Sequence, residues 1–151
     1  MNHFPRERTQ EMAEILEAIL EAKPDFVAGG RSVEAMDCAG LVVVVCESLG
    51  ITLDFEDAEY DTIRHLRLAS PNFYEEQIAR NFEIVPEPTP PSPGDLLLFR
   101  MEGGPINHTG WMLPSGEMVH IYDENRGICR TDWTTRFWRP KYAGYGVPRS
   151  L

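Results

Sequence analysis

Three cysteines and four histidines are the residues of this sequence that could carry nucleophilic chemistry. The most informative thiol is Cys38, because it follows Asp37, a residue type that commonly caps the start of a helix. In the first helical turn, unpaired backbone N–H groups and the helix dipole favour an anion, so this position is expected to lower the pKa of the thiol. The small residues Ala39 and Gly40 would let a substrate backbone approach the sulfur.

The other cysteines are interpreted differently from Cys38. Cys46 lies further along the same apolar segment and is interpreted as a packed core thiol. An odd number of cysteines without C-x-x-C spacing predicts neither a disulfide framework nor a zinc site, so free thiols in a reducing compartment are expected. The acidic run from Asp54 to Asp61 fits no familiar calcium-loop spacing. We therefore predict no metal and no other cofactor.

A thiolate nucleophile needs an imidazole as its base and a third group that orients the imidazole. His108 opens a predicted strand directly after a glycine-containing loop, and His120 lies near the end of the next predicted strand. A hairpin can bring these two side chains together, on one face if the register allows it. His3, near the N-terminus, and His65, on a charged helix, are interpreted as solvated. On this evidence alone, structural roles in a sheet remain the alternative for His108 and His120.

The elements that must position these residues form a helical half and a sheet half. Helical periodicity and caps predict helices over 9–23, 37–48, 57–68 and 72–82, the last two as surface helices. A proline-rich stretch over 86–94 is interpreted as a stiff crossing within one domain. Strands are predicted over 96–101, 108–113, 118–122, 128–131 and 141–145, with a hairpin turn at 114–116 and a helical turn over 133–138. This order predicts a single α+β domain over 1–151, with a helical half at about 9–82 and a sheet half at 95–147.

Charge and hydropathy argue against several classes of partner. A net charge of −10 disfavours nucleic acid. The longest apolar run, Leu41–Cys46, is too short to span a bilayer, and the polar first ten residues do not read as a secretory signal. We therefore expect synthesis in the cytoplasm without a membrane span. Residues 126–151 carry six Lys or Arg against one Asp, which could steer an anionic partner, dock the protein on a carrier, or merely form a solvated surface.

Four motifs occur in an order and at a spacing that resemble one known family. They read Asp37-Cys38-Ala39-Gly40-Leu41, Pro93-Gly94-Asp95-Leu96-Leu97-Leu98-Phe99, His108-Thr109-Gly110-Trp111-Met112-Leu113 and Val119-His120-Ile121. Over roughly residues 15–145 the chain resembles the NlpC-type peptidoglycan endopeptidases, a bacterial branch of the papain-like cysteine peptidases. The resemblance implies a papain-like α+β fold in which N-terminal helices pack on an antiparallel sheet.

The same resemblance implies hydrolysis of an amide in the peptide stem of peptidoglycan, typically the bond from the γ-carboxyl of D-glutamate to the next diamino acid. Cys38 would attack the carbonyl and form an acyl-enzyme, and its backbone N–H would help to bind the oxyanion. His108 would carry the proton to the leaving amine, and His120 would orient His108.

Three residues near the nucleophile are further candidates for oxyanion or substrate contacts: Asp37, Ala39 and Phe26. Asp37 has the plainer role of N-cap. Family members usually carry a tyrosine where this chain has Phe26, twelve residues before the cysteine, so a supporting hydroxyl is missing. This departure keeps open a catalytically weak structural component that retains the fold, and an amidase of the same clan is a further hypothesis.

The single domain and the aromatic and basic residues of 138–145 also resemble wall peptidases carried on phage tails or gene-transfer-agent particles. The expected partners are therefore the peptidoglycan stem peptide and tail-tip or hub proteins of such a particle. Incorporation into the particle would deliver the protein to the cell wall.

Overall fold

The computed structural model describes residues 2–55 and 72–151, so the helix predicted over 57–68 and its His65 lie outside the described residues. Within those ranges the helices are α1 (Thr9–Ala22), α2 (Cys38–Ser48) and α3 (Phe73–Asn81). The strands are β1 (Asp25–Phe26), β2 (Ala35–Met36), β3 (Phe82–Pro86), β4 (Leu96–Phe99), β5 (His108–Met112), β6 (Met118–Ile121), β7 (Ile128–Thr131) and β8 (Tyr142–Pro148). Short 3-10 turns occupy Arg6–Arg8 and Arg139–Lys141.

Helix α2 begins and ends at the residues that the sequence predicts. The Asp37 carboxylate caps it by accepting a hydrogen bond of 2.8 Å from the backbone N–H of Gly40. At its C-terminal end Gly50 adopts φ 73° and donates to the Glu47 carbonyl at 3.0 Å. The four consecutive valines therefore lie in a helix rather than a strand, and Cys46 is the fully buried core thiol that was predicted.

The larger sheet has six antiparallel strands in the order β3-β8-β4-β5-β6-β7. The predicted hairpin joins β5 to β6, with Gly116 at φ 94° and the Leu113 N–H bonded to the Glu117 carbonyl at 2.8 Å. N-terminal helices packed on an antiparallel sheet confirm the predicted α+β fold class.

Two elements of the helical half differ from the prediction. Strand β3 was not predicted; it follows α3 directly and pairs with β8 at the sheet edge, where a strand ending in Pro86 is tolerated. Helix α3 is not a surface helix, because four side chains at helical spacing on it are buried. They are Tyr74, Gln77, Ile78 and Asn81.

The two faces of the sheet are both covered, by different parts of the chain. On the helix face, side chains of the strands form one core with α1, α2 and α3; they include Leu96, Leu98, Trp111, Val119 and Ile121. On the opposite face, which we call the loop face, Trp133 and Trp138 of the segment 132–141 pack over Leu97, Phe99, Met118, Tyr142 and Tyr145. Because side chains alternate along a strand, each functional residue belongs to one of these two environments.

The N-terminal residues are tied to the sheet rather than solvated, so the expectation for His3 was wrong. His3 Nδ1 is hydrogen-bonded to the Asp95 carboxylate at 2.7 Å, and its ring stacks on Tyr145. The same buried carboxylate accepts from the backbone N–H groups of Phe4 and Ser92 at 2.7 and 2.8 Å. Asp95, directly before β4, therefore anchors the N-terminal segment.

Candidate active site

The loop that precedes α2 is clamped onto Asp37, the residue in front of the candidate nucleophile. Besides capping Gly40, its carboxylate accepts from the Gly29 N–H and from the Arg31 guanidinium, each at 2.8 Å. Both carboxylate oxygens are thus engaged by the protein, which supports the capping role rather than a substrate contact. The clamp fixes the position of the backbone at Cys38.

The small residues after the cysteine are closely packed within the protein, and their role in substrate access stays a prediction. A Cβ on Gly40 would lie 2.1 Å from the Gly30 carbonyl oxygen, a backbone atom. Ala39 is only 2% exposed and belongs to the helix-face core. The D-C-A-G sequence therefore reflects the close approach of the 29–31 loop to α2.

Cys38 as a whole is half-buried, and its side chain packs against the helix-face core. Burial, with a smaller contribution from the Asp37 carboxylate, raises its pKa to about 12. Hydrogen bonds from the Tyr74 side chain and the Ala39 backbone, and the charge of Arg31, act in the opposite direction but are outweighed. The expected lowering of the pKa by the helix start is therefore not observed, and the resting sulfur is a neutral thiol.

Tyr74 and Thr109 are site residues that the sequence analysis missed. The Tyr74 hydroxyl, carried by α3, lies 2.7 Å from Thr109 Oγ1. The Tyr74 side chain also acts to lower the pKa of the Cys38 thiol. Thr109 is the residue after His108 on β5. The helical spacing of Tyr74, Ile78 and Asn81 was a signal that this face of α3 is buried, but no local pattern indicates what its hydroxyl contacts.

The two histidines form a direct hydrogen-bonded pair on the loop face. His108 Nε2 lies 2.8 Å from His120 Nδ1, and His120 Nε2 lies 2.8 Å from Thr131 Oγ1. Cys129 adds a longer contact, with Sγ 3.5 Å from His120 Nε2. The rings of Tyr122 and Trp138 enclose the pair, which is 3% and 1% exposed. The two histidines that the sequence analysis paired are thus in contact, and nothing in the sequence indicated Thr131.

Burial lowers the pKa of both imidazoles. For His108 the effect of burial is reinforced by His120, and the pKa falls well below its usual value. For His120, burial and then the Arg126 charge lower the pKa to about 4. Both rings are consequently neutral near pH 7, which is the state that a general base requires.

The thiol and the imidazole pair approach the sheet from different sides. Thr109 faces the helices through Tyr74, whereas His108, one residue earlier, faces Phe99 and Trp138 on the loop face. No hydrogen bond joins the Cys38 thiol to the His108 ring in this structure of residues 2–55 and 72–151. His108 is the first residue of β5 and so lies at the end of the strand, while α2 packs on both β5 and β6.

The sequence comparison decides the family. The model of the NlpC/P60 family matches residues 23–147, and this range includes the cysteine, both histidines and all six strands of the large sheet except the last residue of β8. The chain belongs to the NlpC/P60 family. The comparison with curated proteins gives no match.

Solved NlpC/P60 structures share this fold. An NlpC/P60 family protein from Bacillus cereus ATCC 10987 superposes with a TM-score of 0.59 at 21% identity, over 88% of this chain and 39% of that chain. A lipoprotein-like NLP/P60 family protein from Staphylococcus aureus gives 0.60 at 23% identity, over 99% and 43%. NlpC1 from Trichomonas vaginalis gives 0.57 at 16% identity, over 94% and 44%. The chain therefore spans less than half the length of each of these relatives.

Phe26, the departure from the NlpC/P60 pattern, lies beside the start of α2. It pairs with Met36 in the two-stranded parallel sheet of β1 and β2 and packs against the helix-face core. Its side chain is apolar and offers no hydroxyl.

Other candidate binding features of this NlpC/P60 chain lie away from the thiol and imidazoles. A groove of about 530 Å³ runs between α1 and the β5–β6 turn, and neither Cys38 nor the two histidines line it.

Across 2–55 and 72–151, no group of three or more His, Cys, Asp or Glu is placed to hold a metal ion. None of the helices in the described part of the chain is long and apolar enough to cross a membrane.

The lowered pKa values of the imidazole pair predict the acidic limit of catalysis. If this pair acts as the base of a hydrolytic reaction, its neutral form persists as the pH falls. The rate constant kcat/KM is then expected to stay near its pH 7 value until the pH approaches the pKa of the pair, about 4 for His120. A pH–rate profile measured with short incubations tests this. An acidic midpoint near the ordinary histidine value of about 6.5 would contradict the buried, neutral pair.

Proposed function

We propose that this chain is a cysteine endopeptidase that hydrolyses an amide in the stem peptides of peptidoglycan, at the bond from D-γ-glutamate to the diamino acid. The observation that carries the proposal is the hydrogen-bonded chain His108–His120–Thr131 on a sheet against which α2, the helix that begins at Cys38, is packed. An imidazole held by a second polar residue near a thiol at a helix start is the arrangement that nucleophilic amide hydrolysis requires.

We assign the protons of this chain so that His108 has a free proton-accepting atom. His120 Nε2 lies 2.8 Å from Thr131 Oγ1, and His120 Nδ1 lies 2.8 Å from His108 Nε2. In the assigned tautomers His120 donates from Nε2 and accepts at Nδ1. His108 Nδ1 is then left without a proton and serves as the base. His120 and Thr131 act through His108, by fixing its tautomer and ring orientation.

Since the resting sulfur is a neutral thiol, attack and proton transfer are coupled. Cys38 Sγ bonds to the carbonyl carbon as its proton passes to His108 Nδ1, and the backbone N–H of Cys38 stabilises the oxyanion. Collapse breaks the C–N bond, and His108 gives the proton to the leaving amine. Water, deprotonated by the same imidazole, then hydrolyses the thioester and restores the thiol.

These steps require a hydrogen bond between the Cys38 thiol and His108 Nδ1, which the structure of residues 2–55 and 72–151 does not contain. Catalytic hydrogen bonds are often long in free enzymes and tighten in the substrate complex.

Digestion of purified sacculi and soluble muropeptides, with products identified by mass spectrometry, tests the proposal. Wild type is expected to release fragments cut after γ-glutamate, and Cys38→Ala is expected to release none. Cys46→Ala is the matched control, since Cys46 is a fully buried core thiol, and it should retain activity. Absence of products from folded wild type, across wall types and pH values, would refute the peptidase.

A structural component that retains the fold is the second candidate, favoured by Phe26 and by the raised pKa of Cys38. This second candidate predicts that the wild-type protein releases no wall fragments. It also predicts association with tail-tip or hub proteins of a phage-like particle, which co-purification would reveal. An amidase of the same clan would instead release an intact stem peptide, and the product mass separates it from the endopeptidase.

A further inference from the structure

The turn between β6 and β7 places a guanidinium near the imidazole pair. The Asp123 carboxylate accepts a hydrogen bond of 2.8 Å from the backbone N–H of Arg126, and the Gly127 N–H donates to the Asp123 carbonyl at 2.9 Å. The Arg126 side chain lies over the ring of Tyr122, with Cζ 5.5 Å from the ring centroid. The turn and the ring together set the position of this exposed cation.

Tyr122 connects the cation to the candidate base. It follows β6 directly and shares the loop face with His120, because alternate residues of a strand point to the same side. The Tyr122 ring centroid is 5.3 Å from that of His108 and 5.6 Å from that of Trp138. The guanidinium and the His108 imidazole are therefore neighbours of the same aromatic ring.

Arg126 is available to bind an anion. Its side chain forms no ion pair within residues 2–55 and 72–151, although Asp and Glu outnumber Lys and Arg in the chain. Other arginines in these ranges are engaged by carboxylates: Arg8 by Glu11, Arg31 by Asp37, Arg100 by Glu75 and Arg130 by Glu17. The face of Tyr122 uses none of the N–H donors of the guanidinium, so these donors stay open to a bidentate contact.

We propose, on the basis of the peptidase function above, that Arg126, stacked on Tyr122, binds the free α-carboxylate of the γ-linked D-glutamate. In this linkage the side-chain carboxyl forms the scissile amide, so the α-carboxylate stays ionised. Only a short carbon chain separates it from the scissile carbonyl. A substrate whose carbonyl lies between Cys38 and His108 therefore presents its anion close to the base, where Arg126 supplies the opposite charge. Arg126 is thus a specificity-determining residue that separates acidic stem peptides from amidated ones.

The test measures the binding of a soluble stem tripeptide with D-glutamate at its second position, and of the same tripeptide with the α-carboxylate amidated. Isothermal titration calorimetry on the Cys38→Ala protein reports affinity without hydrolysis. Arg126→Ala and Arg126→Lys are compared in this background. Arg6→Ala is the matched control, because Arg6 is also exposed and forms no ion pair within the described ranges but belongs to the 3-10 turn before α1.

The Cys38→Ala protein is expected to bind the acidic tripeptide about 10-fold more tightly than the amidated one. Arg126→Ala should lower the affinity for the acidic tripeptide about 10-fold and leave that for the amidated one within about twofold. Arg126→Lys should recover part of the preference, since lysine keeps the charge but lacks the planar fork. Arg6→Ala should change neither affinity.

Three binding results would overturn the inference. They are equal affinity of the Cys38→Ala protein for both tripeptides, no binding of either at millimolar concentrations, and an equal loss of affinity in Arg126→Ala and Arg6→Ala. The last of these would show an effect of net charge rather than a subsite.

Hydrolysis of the two tripeptides by the protein that retains Cys38 separates this inference from the proposed function. Equal values of kcat/KM for both tripeptides would keep the peptidase and overturn the subsite. Carboxylate-dependent binding without any hydrolysis would keep the subsite and refute the peptidase.

Discussion

Replacing His108 by Gln is expected to lower kcat/KM on a soluble muropeptide by about 10³-fold, the range measured for loss of a general base. Gln can still offer a hydrogen bond to His120 Nδ1, which His108 Nε2 contacts at 2.8 Å, but its amide cannot take a proton from the thiol. The substitution therefore removes the proton acceptor while conserving most of the packing beneath Trp138.

The ranking of neighbouring variants makes this prediction specific. His120→Ala should cost about 10²-fold, because the base loses its orienting partner but remains, and Thr131→Val should cost less than about 10-fold. Initial rates, together with near-ultraviolet circular dichroism as a check on folding, measure the series. Activity of His108→Gln within tenfold of wild type, or a Thr131→Val loss as large as that of His108→Gln, would contradict the assigned roles.

Gly40→Ala is expected to lower the free energy of unfolding by about 1–3 kcal/mol. The accompanying loss of activity, expressed as a free energy, should be at least as large. The added Cβ would lie 2.1 Å from the Gly30 carbonyl oxygen and 2.9 Å from the Met36 Cβ. Because Gly30 is backbone held by the Asp37 clamp, the start of α2 must move, and Cys38 moves with it.

Gly104→Ala is the matched control, since a Cβ there meets nothing within 4 Å and the residue does not adopt a positive φ. Its free energy of unfolding should change by less than about 0.5 kcal/mol. Urea unfolding monitored by fluorescence gives both values. Equal stability and activity of the Gly40→Ala and Gly104→Ala proteins would show that the close approach of loop and helix does not position the nucleophile.

Most of the fold followed from local signals in the sequence. Asp37 and Gly50 set the limits of α2 because a capping carboxylate and a left-handed glycine act on their own backbone neighbours. The β5–β6 hairpin followed in the same way from its turn residues. Strand β3 was missed because its pairing with β8 joins segments about sixty residues apart, and the proline that follows resembled a break instead.

The site was predictable in its residue types but not in its environment. The sequence indicated Cys38, His108 and His120 as candidates and left open whether the two histidines share a face; in the structure they are in contact. It could not indicate Tyr74 or Thr131, because their contacts depend on how α3 and β7 pack. The pKa of the thiol was predicted in the wrong direction, since burial outweighs the helix start and burial is a tertiary property.

The most direct test of the central claim is covalent capture by a γ-D-glutamyl chloromethyl ketone, which places an electrophile where the scissile carbonyl would lie. The account predicts one adduct, mapped by peptide mass spectrometry to Cys38, absent in Cys38→Ala and formed at least about 10²-fold more slowly in His108→Gln. An adduct on Cys129 instead, or one that forms equally fast in wild type and His108→Gln, would contradict a Cys38 nucleophile activated by His108.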